Sequence, residues 1–287
     1  MAWQTSRFLI DLSTPKVMGI VNITPDSFSD GGQHQTVSAA LRHCERLIRE
    51  GADILDLGGE SSRPGSSPVP LEEELARMLP VVREAVKLGV PVSVDTYKPQ
   101  VMRVVLDLGA DIINDIWALR QAGAADPLDA FQVVASHPSC GVCLMHMHGE
   151  PRTMQLSPME GDVLVQVRQF LEHRARQLRQ AGVAANRIVI DPGIGFGKTV
   201  AQNFALLSRQ RELLVSGCPL LVGWSRKSSL AAVCGQSLGC VAALDAKDRM
   251  VASVTAALLA VERGASIVRV HDVSETVQAL RVLGAIR

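Results

Sequence analysis

The 287-residue chain predicts a (β/α)8 barrel, and three observations carry that prediction. Short β-branched runs that end in polar residues recur about eight times along the chain. Between them lie stretches whose apolar residues repeat at helical spacing. Three helix-to-strand junctions also look alike: Gly51-Ala52-Asp53 precedes ILDLGGE, Gly109-Ala110-Asp111 precedes IIND, and Gly264-Ala265-Ser266 precedes IVRVHD. Glycine just past a helix C-terminus supplies the positive φ that often closes a helix. Each junction therefore reads as a helix returning into a buried, parallel strand.

The strands are expected at residues 17–22, 54–57, 92–95, 112–114, 142–145, 188–191, 220–222 and 267–270. Helical periodicity separates them. Val37, Leu41, Cys44 and Ile48 share one face, as do Leu75, Met78, Leu79, Val82 and Val86, and later Leu164, Val167, Leu171 and Leu178. Eight strand–helix units over this length fit a closed barrel with an outer ring of helices, with a doubly wound open sheet as the runner-up. No linker or composition shift divides the chain, so residues 1–287 are expected to form a single domain.

Composition narrows the function. Apolar residues make up 47% and charged residues 20%, which suits a large core rather than disorder. Lys+Arg and Asp+Glu are both 29, a balance that argues against nucleic acid as the main partner. The N-terminal MAWQTSRFLIDLS lacks the basic and apolar regions of a signal peptide. No apolar run approaches the ~20 residues of a membrane helix, so the expected address is the cytoplasm. The six cysteines are scattered, as expected for reduced thiols. Cys140-x-x-Cys143 followed by His146 and His148 suggests zinc, but much of the group falls on a strand whose side chains alternate between faces. Ordinary core cysteines are the better reading.

One stretch, IVIDPGIGFGKT (188–199), ends like a phosphate-cradling loop. That pattern needs glycine five positions before the glycine of Gly197-Lys198-Thr199, and Pro192 stands there. The spacing of Gly193, Gly195 and Gly197 also misses the dinucleotide pattern. Lys198 is therefore not expected to bind a nucleotide. In a barrel this stretch is a loop at the C-terminal end of the sixth strand, where barrel enzymes keep their chemistry.

The strand ends carry hydrogen-bonding groups nearly throughout: Asn22; Asp56 with Glu60, Ser62 and Arg63; Asp95; Asn114 with Asp115; His146; Asp191; Ser225 to Ser228; and Arg269 with His271. Any one of these suits a turn, but turns alone do not explain the set. Arg63, Lys227, Arg269 and His271 supply cationic donors for phosphate or carboxylate. Asp95, Asn114 and Asp191 supply acceptors for a nitrogen heterocycle with N–H groups. Together they suit a phosphorylated pterin or purine. Phe196 either lines a slot for a second ring or plugs the core beneath its loop. Two Gly/Ser/Pro/Asp-rich segments, TPDSFSDGGQH and ESSRPGSSPVP, read either as mobile lids or as plain surface connections.

NITPDSFSDGG, DLGGESSRPG, SVDTYKP, INDI, LMHM, IDPGIGFGK, LLVGWSRKS and VRVHDV resemble, in order and spacing, the successive motifs of the dihydropteroate synthase family, over nearly the whole chain. The resemblance implies a barrel enzyme of folate biosynthesis. Such an enzyme joins the diphosphate ester of 6-hydroxymethyl-7,8-dihydropterin to 4-aminobenzoate with release of pyrophosphate, and sulfonamides compete with the aminobenzoate. It implies Mg²⁺ as cofactor, held by Asn22, and a homodimer.

It further implies diphosphate contacts at Asn22, Ser62, Arg63, Arg269 and His271, and pterin contacts at Asp95, Asn114, Asp191 and Lys227. Aminobenzoate contacts are implied at Phe28, Pro64, Phe196 and Ser228, with Asp95, Lys227, Arg269 and His271 as the catalytic set. Ser62 stands where many members have Thr, which keeps the hydroxyl, and Ile194 stands where some have Phe. A pterin-binding methyltransferase should lack the cations of SRKS and RVH, and a non-catalytic homologue should have lost Asn22, Asp95 or Lys227. All are present.

Overall fold

The computed structural model describes residues 1–23, 33–61, 65–121, 129–237 and 245–286. A short antiparallel hairpin, β1 (Ala2–Gln4) and β2 (Leu9–Asp11), comes first. Eight parallel strands follow: β3 (Lys16–Asn22), β4 (Ile54–Gly58), β5 (Val92–Asp95), β6 (Ile112–Asp115), β7 (Gly141–Met145), β8 (Ile188–Asp191), β9 (Leu221–Val222) and β10 (Ile267–Val270). Their order, β8-β7-β6-β5-β4-β3-β10-β9, is that of a rolled sheet. A parallel bridge between Ile190 and Leu220 closes it from β8 to β9. The closed barrel, rather than the open sheet, is the architecture, and each strand lies within a residue or so of its expected place.

The outer ring comprises α1 (Gln33–Glu50), α2 (Leu71–Ala85), α3 (Pro99–Asp107), α4 (Ala130–Ser136), α5 (Val163–Gln180), α6 (Val200–Ser208), α7 (Ser228–Ser237), α8 (Met250–Glu262) and α9 (Val273–Gly284). The junction glycines behave as their sequence context suggests. Gly51, Gly109 and Gly264 adopt φ of 101°, 97° and 95°, a region that costs a side chain but not glycine. The helix faces read from periodicity pack on the outward side chains of the strands; Cys44, Met78, Val82, Leu164, Val167 and Leu171 are all buried.

Strand alternation sets the interior. Met18, Ile54, Ile112, Cys143, Val189, Leu221 and Ile267 point inward at one level and form an apolar layer. The hairpin, which sequence periodicity did not reveal, covers this layer from the N-terminal face. Trp3, Ile10 and Leu12 pack on it, and the Trp3 indole N–H donates to the Arg187 carbonyl at 2.9 Å. The Asp111 carboxylate is fully buried at the base of β6. It accepts from the Val92 N–H at 2.9 Å, from the Arg7 N–H at 3.1 Å, and from Arg7 Nε and Nη2 at 3.0 and 2.6 Å. The barrel floor is thus sealed by packing and one ion pair.

Breaking a buried pair from one side costs roughly 3–5 kcal/mol, because the remaining charge is left uncompensated. Arg7 is 35% exposed, and the backbone donors to Asp111 survive its loss. Arg7→Ala is therefore expected to lower stability by about 2 kcal/mol in urea unfolding. Its KM values should not change, since the hairpin lies at the face opposite the strand ends that carry the site.

Candidate active site

On four of the strands the inward side chain two residues beyond the apolar layer is polar. Asp56 follows Ile54, Asn114 follows Ile112, Asp191 follows Val189, and Arg269 follows Ile267. Asp95 faces the same way as its register partners Gly58 and Asn114. The β-period alone lifts a polar layer onto the apolar one.

Arg269 ties this layer together. Its Nε donates to Asp56 Oδ2 at 2.5 Å and its Nη2 to Asp95 Oδ2 at 2.8 Å. Asn114 donates from Nδ2 to the same Asp56 oxygen at 3.2 Å. Burial disfavours the Arg269 charge, but the two carboxylates outweigh it and push the guanidinium pKa up. Asp95 is raised to about 7, chiefly by burial, with Arg269 pulling it down and Asp56 and Asp115 pushing it up. Burial likewise raises Asp191 to about 6, against the Gly193 N–H, at 2.7 Å, and the Lys227 charge. The second Asp56 oxygen, buried, has no hydrogen-bond partner among the described residues. The layer is rich in acceptors and holds one guanidinium across them, a surface suited to a ring edge bearing several N–H donors.

Around this layer stand the other predicted residues. Lys227 Nζ lies 4.2 Å from the centre of the Phe196 ring, a cation–π contact. Phe196 is 7% exposed and packs with Ile116, Met145, Met147 and Met154, so it plugs the core and also supports Lys227. His271 Nδ1 is 3.0 Å from Ser225 Oγ, which accepts the His271 backbone N–H at 3.1 Å. Between them Arg226 holds φ of 60°. Its guanidinium meets Asp272 Oδ1 at 2.6 Å and its backbone N–H meets Ser253 Oγ at 2.9 Å. Ser228 is exposed at the start of α7. Asn22 ends β3 at the rim. Phe28, Ser62, Arg63 and Pro64 lie outside the described residues, as does most of the TPDSFSDGGQH segment.

Sequence reading gave no role to three features. Asp56 was only one strand-end acid among many, yet it shares Arg269 with Asp95. The base of the segment after β4 is held by Lys98, which meets Glu60 and Glu74, with Tyr97 donating to Glu60 at 3.0 Å and Thr96 to Glu74 at 2.7 Å. The presence of Glu60 and Lys98 in adjacent motifs was the available signal. Lys198 is 2% exposed and lies beneath the glycine-rich loop, among carbonyls rather than at a phosphate site. Cys140 and Cys143 are buried in the core, and among the described residues no group of three or more His, Cys, Asp or Glu converges as metal ligands.

A family model described as pterin binding enzyme matches residues 18–271. The dihydropteroate synthase of Neisseria meningitidis serogroup B is 47% identical over 289 residues, covering 99% of this chain and 97% of that protein. The Burkholderia cenocepacia dihydropteroate synthase complexed with 7,8-dihydropteroate superposes with a TM-score of 0.86 at 50% identity, covering 100% of this chain and 96% of that one. The Xanthomonas albilineans enzyme with 4-aminobenzoic acid gives 0.89 at 45% identity, covering 100% and 98%. With identity of this order sustained end to end on one fold, the chain belongs to the dihydropteroate synthases, a family of pterin-binding enzymes.

Proposed function

We infer that the barrel mouth joins (7,8-dihydropterin-6-yl)methyl diphosphate to 4-aminobenzoate, the step of folate biosynthesis that its family performs. The C–O bond to the diphosphate breaks, a C–N bond forms, pyrophosphate leaves, and the amine gives up one proton. The observation that carries the reading is the polar layer bridged by Arg269 two residues above the barrel floor. Asp95, Asn114 and Asp191 receive the pterin N–H edge, and Lys227 donates to the ring from the loop side. The carboxylates beside the ring also stabilise positive charge that develops on it as the diphosphate departs. Departure before attack suits a weak amine nucleophile.

The diphosphate is assigned to His271, to Arg269, and to Ser62 and Arg63. Aminobenzoate is assigned to the space bounded by Phe196, Ser228, Phe28 and Pro64. Mg²⁺ fits the donor set: the Asn22 amide carbonyl is a hard oxygen at the rim, and the nearest inward thiol, Cys143, belongs to the apolar layer below. Such an ion commonly takes few protein ligands and is carried by phosphate oxygens and water. When bound it supplies Lewis-acid stabilisation of the leaving diphosphate. A homodimer and a cytoplasmic address complete the reading. Exposed Val251 on α8 and Val282 on α9 suit a dimer face, and no helix among the described residues is long and apolar enough to cross a membrane.

Pyrophosphate release tests the reaction. Protein, Mg²⁺ and the pterin diphosphate are expected to release it at an appreciable rate only when aminobenzoate is added. A rate independent of aminobenzoate would point to a hydrolase. Lys227→Ala is expected to lose most activity and to bind a pterin ligand about tenfold more weakly in calorimetry, about 1.4 kcal/mol. Unchanged affinity would remove Lys227 from the pterin site.

A pocket completed by long connecting segments should form fully only when a bound anion holds them. A sulfonamide is therefore expected to bind more tightly, by roughly 1–3 kcal/mol of coupling, when pterin and Mg-pyrophosphate are present. Equal affinity in their absence would show a preformed pocket.

A further inference from the structure

Lys198 is the one prominent feature of the glycine-rich stretch that the reaction leaves unused. Its Nζ lies 2.9 Å from the Gly193 carbonyl, 3.1 Å from the Phe196 carbonyl, 3.0 Å from His146 Nδ1 and 3.4 Å from the His146 carbonyl. An ammonium has three N–H donors and needs three such acceptors when buried. Burial pulls the Lys198 pKa down to about 7, with Asp191 holding it up; a neutral amine would turn a lone pair toward one of these acceptors, so the cage favours the ammonium. His146 supplies the matching acceptor: burial, followed by the nearby Lys198 and Arg120 charges, takes its pKa down to about 2 and keeps the ring neutral.

The loop above this cage has little freedom of its own choosing. Gly193, Gly195 and Gly197 hold φ of 67°, 83° and 67°. A Cβ at Gly193 would lie 1.9 Å from the His146 carbonyl oxygen, and one at Gly197 would lie 2.3 Å from that of His148. Three left-handed residues in five turn the Gly193 and Phe196 carbonyls inward, where only Lys198 and one turn N–H, that of Phe196 to Gly193 at 3.1 Å, reach them among the described residues. On the other side Gly195 is tied through Gln155 to its carbonyl at 2.7 Å and through Asn203 to its N–H at 2.8 Å. The loop is thus a thin layer, with Lys198 below it and Lys227 above it on the Phe196 ring.

We propose that Lys198 is a positioning residue: its ammonium pegs loop 193–197 from beneath and so sets the place of the Phe196 ring in the aminobenzoate pocket. The inference rests on the assignment of Phe196 to that pocket. A lysine that merely filled the core would be replaceable by an apolar side chain of equal length without effect on either substrate. A peg acts on aminobenzoate more than on pterin, because Asp95, Asn114 and Asp191 hang from strands; loop movement reaches the pterin side only through the Gly193 N–H on Asp191 and through Lys227 on the Phe196 ring.

Steady-state kinetics on Lys198→Met, with Phe196→Ala as reference, test this. The Met variant keeps the stem and removes the donors. Its KM for aminobenzoate is expected to rise about tenfold while the Kd for a pterin ligand stays within about threefold. Lys198→Gln keeps two N–H donors on a side chain one bond shorter and is expected to fall between it and the parent; it carries the test should the Met variant not fold. A folded variant with unchanged aminobenzoate KM, or one in which KM and pterin Kd rise together, overturns the proposal. If Phe196→Ala raises the KM and Lys198→Met does not, only the role of Lys198 fails. If Phe196→Ala itself leaves the KM unchanged, the pocket assignment fails and the proposal with it.

Discussion

A single guanidinium inside the barrel sets the terms for everything above it. Arg269 gives up most of its water, its side chain 21% exposed, and Asp56 and Asp95 accept from it in exchange. The two carboxylates would repel each other without it. The result is a pre-arranged polar surface whose net charge is small and whose remaining oxygens are available to a ligand bearing N–H groups. Asn114 extends the same network through Asp56.

That arrangement depends on the layer below. The apolar inward residues and the N-terminal hairpin exclude water from the floor, so the polar layer lies against a low-dielectric base where its interactions are strong. The same base makes the cost of an unpaired charge high, which explains why burial is the largest influence on both Asp95 and Asp191. Strand alternation performs the sorting: one residue step separates core from outside, and two separate floor from site.

Much of this was legible in the sequence. The barrel followed from repeated junctions and periodicity, and the strand-end list contained every polar side chain now found in the layer. Pairings were not legible, because Asp56 and Arg269 are separated by most of the chain and nothing local distinguishes Asp56 from a turn residue. The hairpin was missed because its two strands are three residues each, too short for alternation to show. Pro192 argues against Lys198 as a nucleotide ligand, but nothing local in the sequence points to its cage: two of its acceptors are carbonyls aimed by glycine φ values. Phe28, Ser62, Arg63 and Pro64 keep their roles as assignments from family resemblance.

The most direct measurement is a crystal structure of the enzyme with a pterin ligand bound. The N–H edge of the ring is expected on Asp95, Asn114 and Asp191, with Lys227 over the loop side and Arg269 still bonded to Asp56. A pterin bound away from the barrel mouth, or one whose polar edge meets none of those three side chains, would contradict the proposed role of the polar layer.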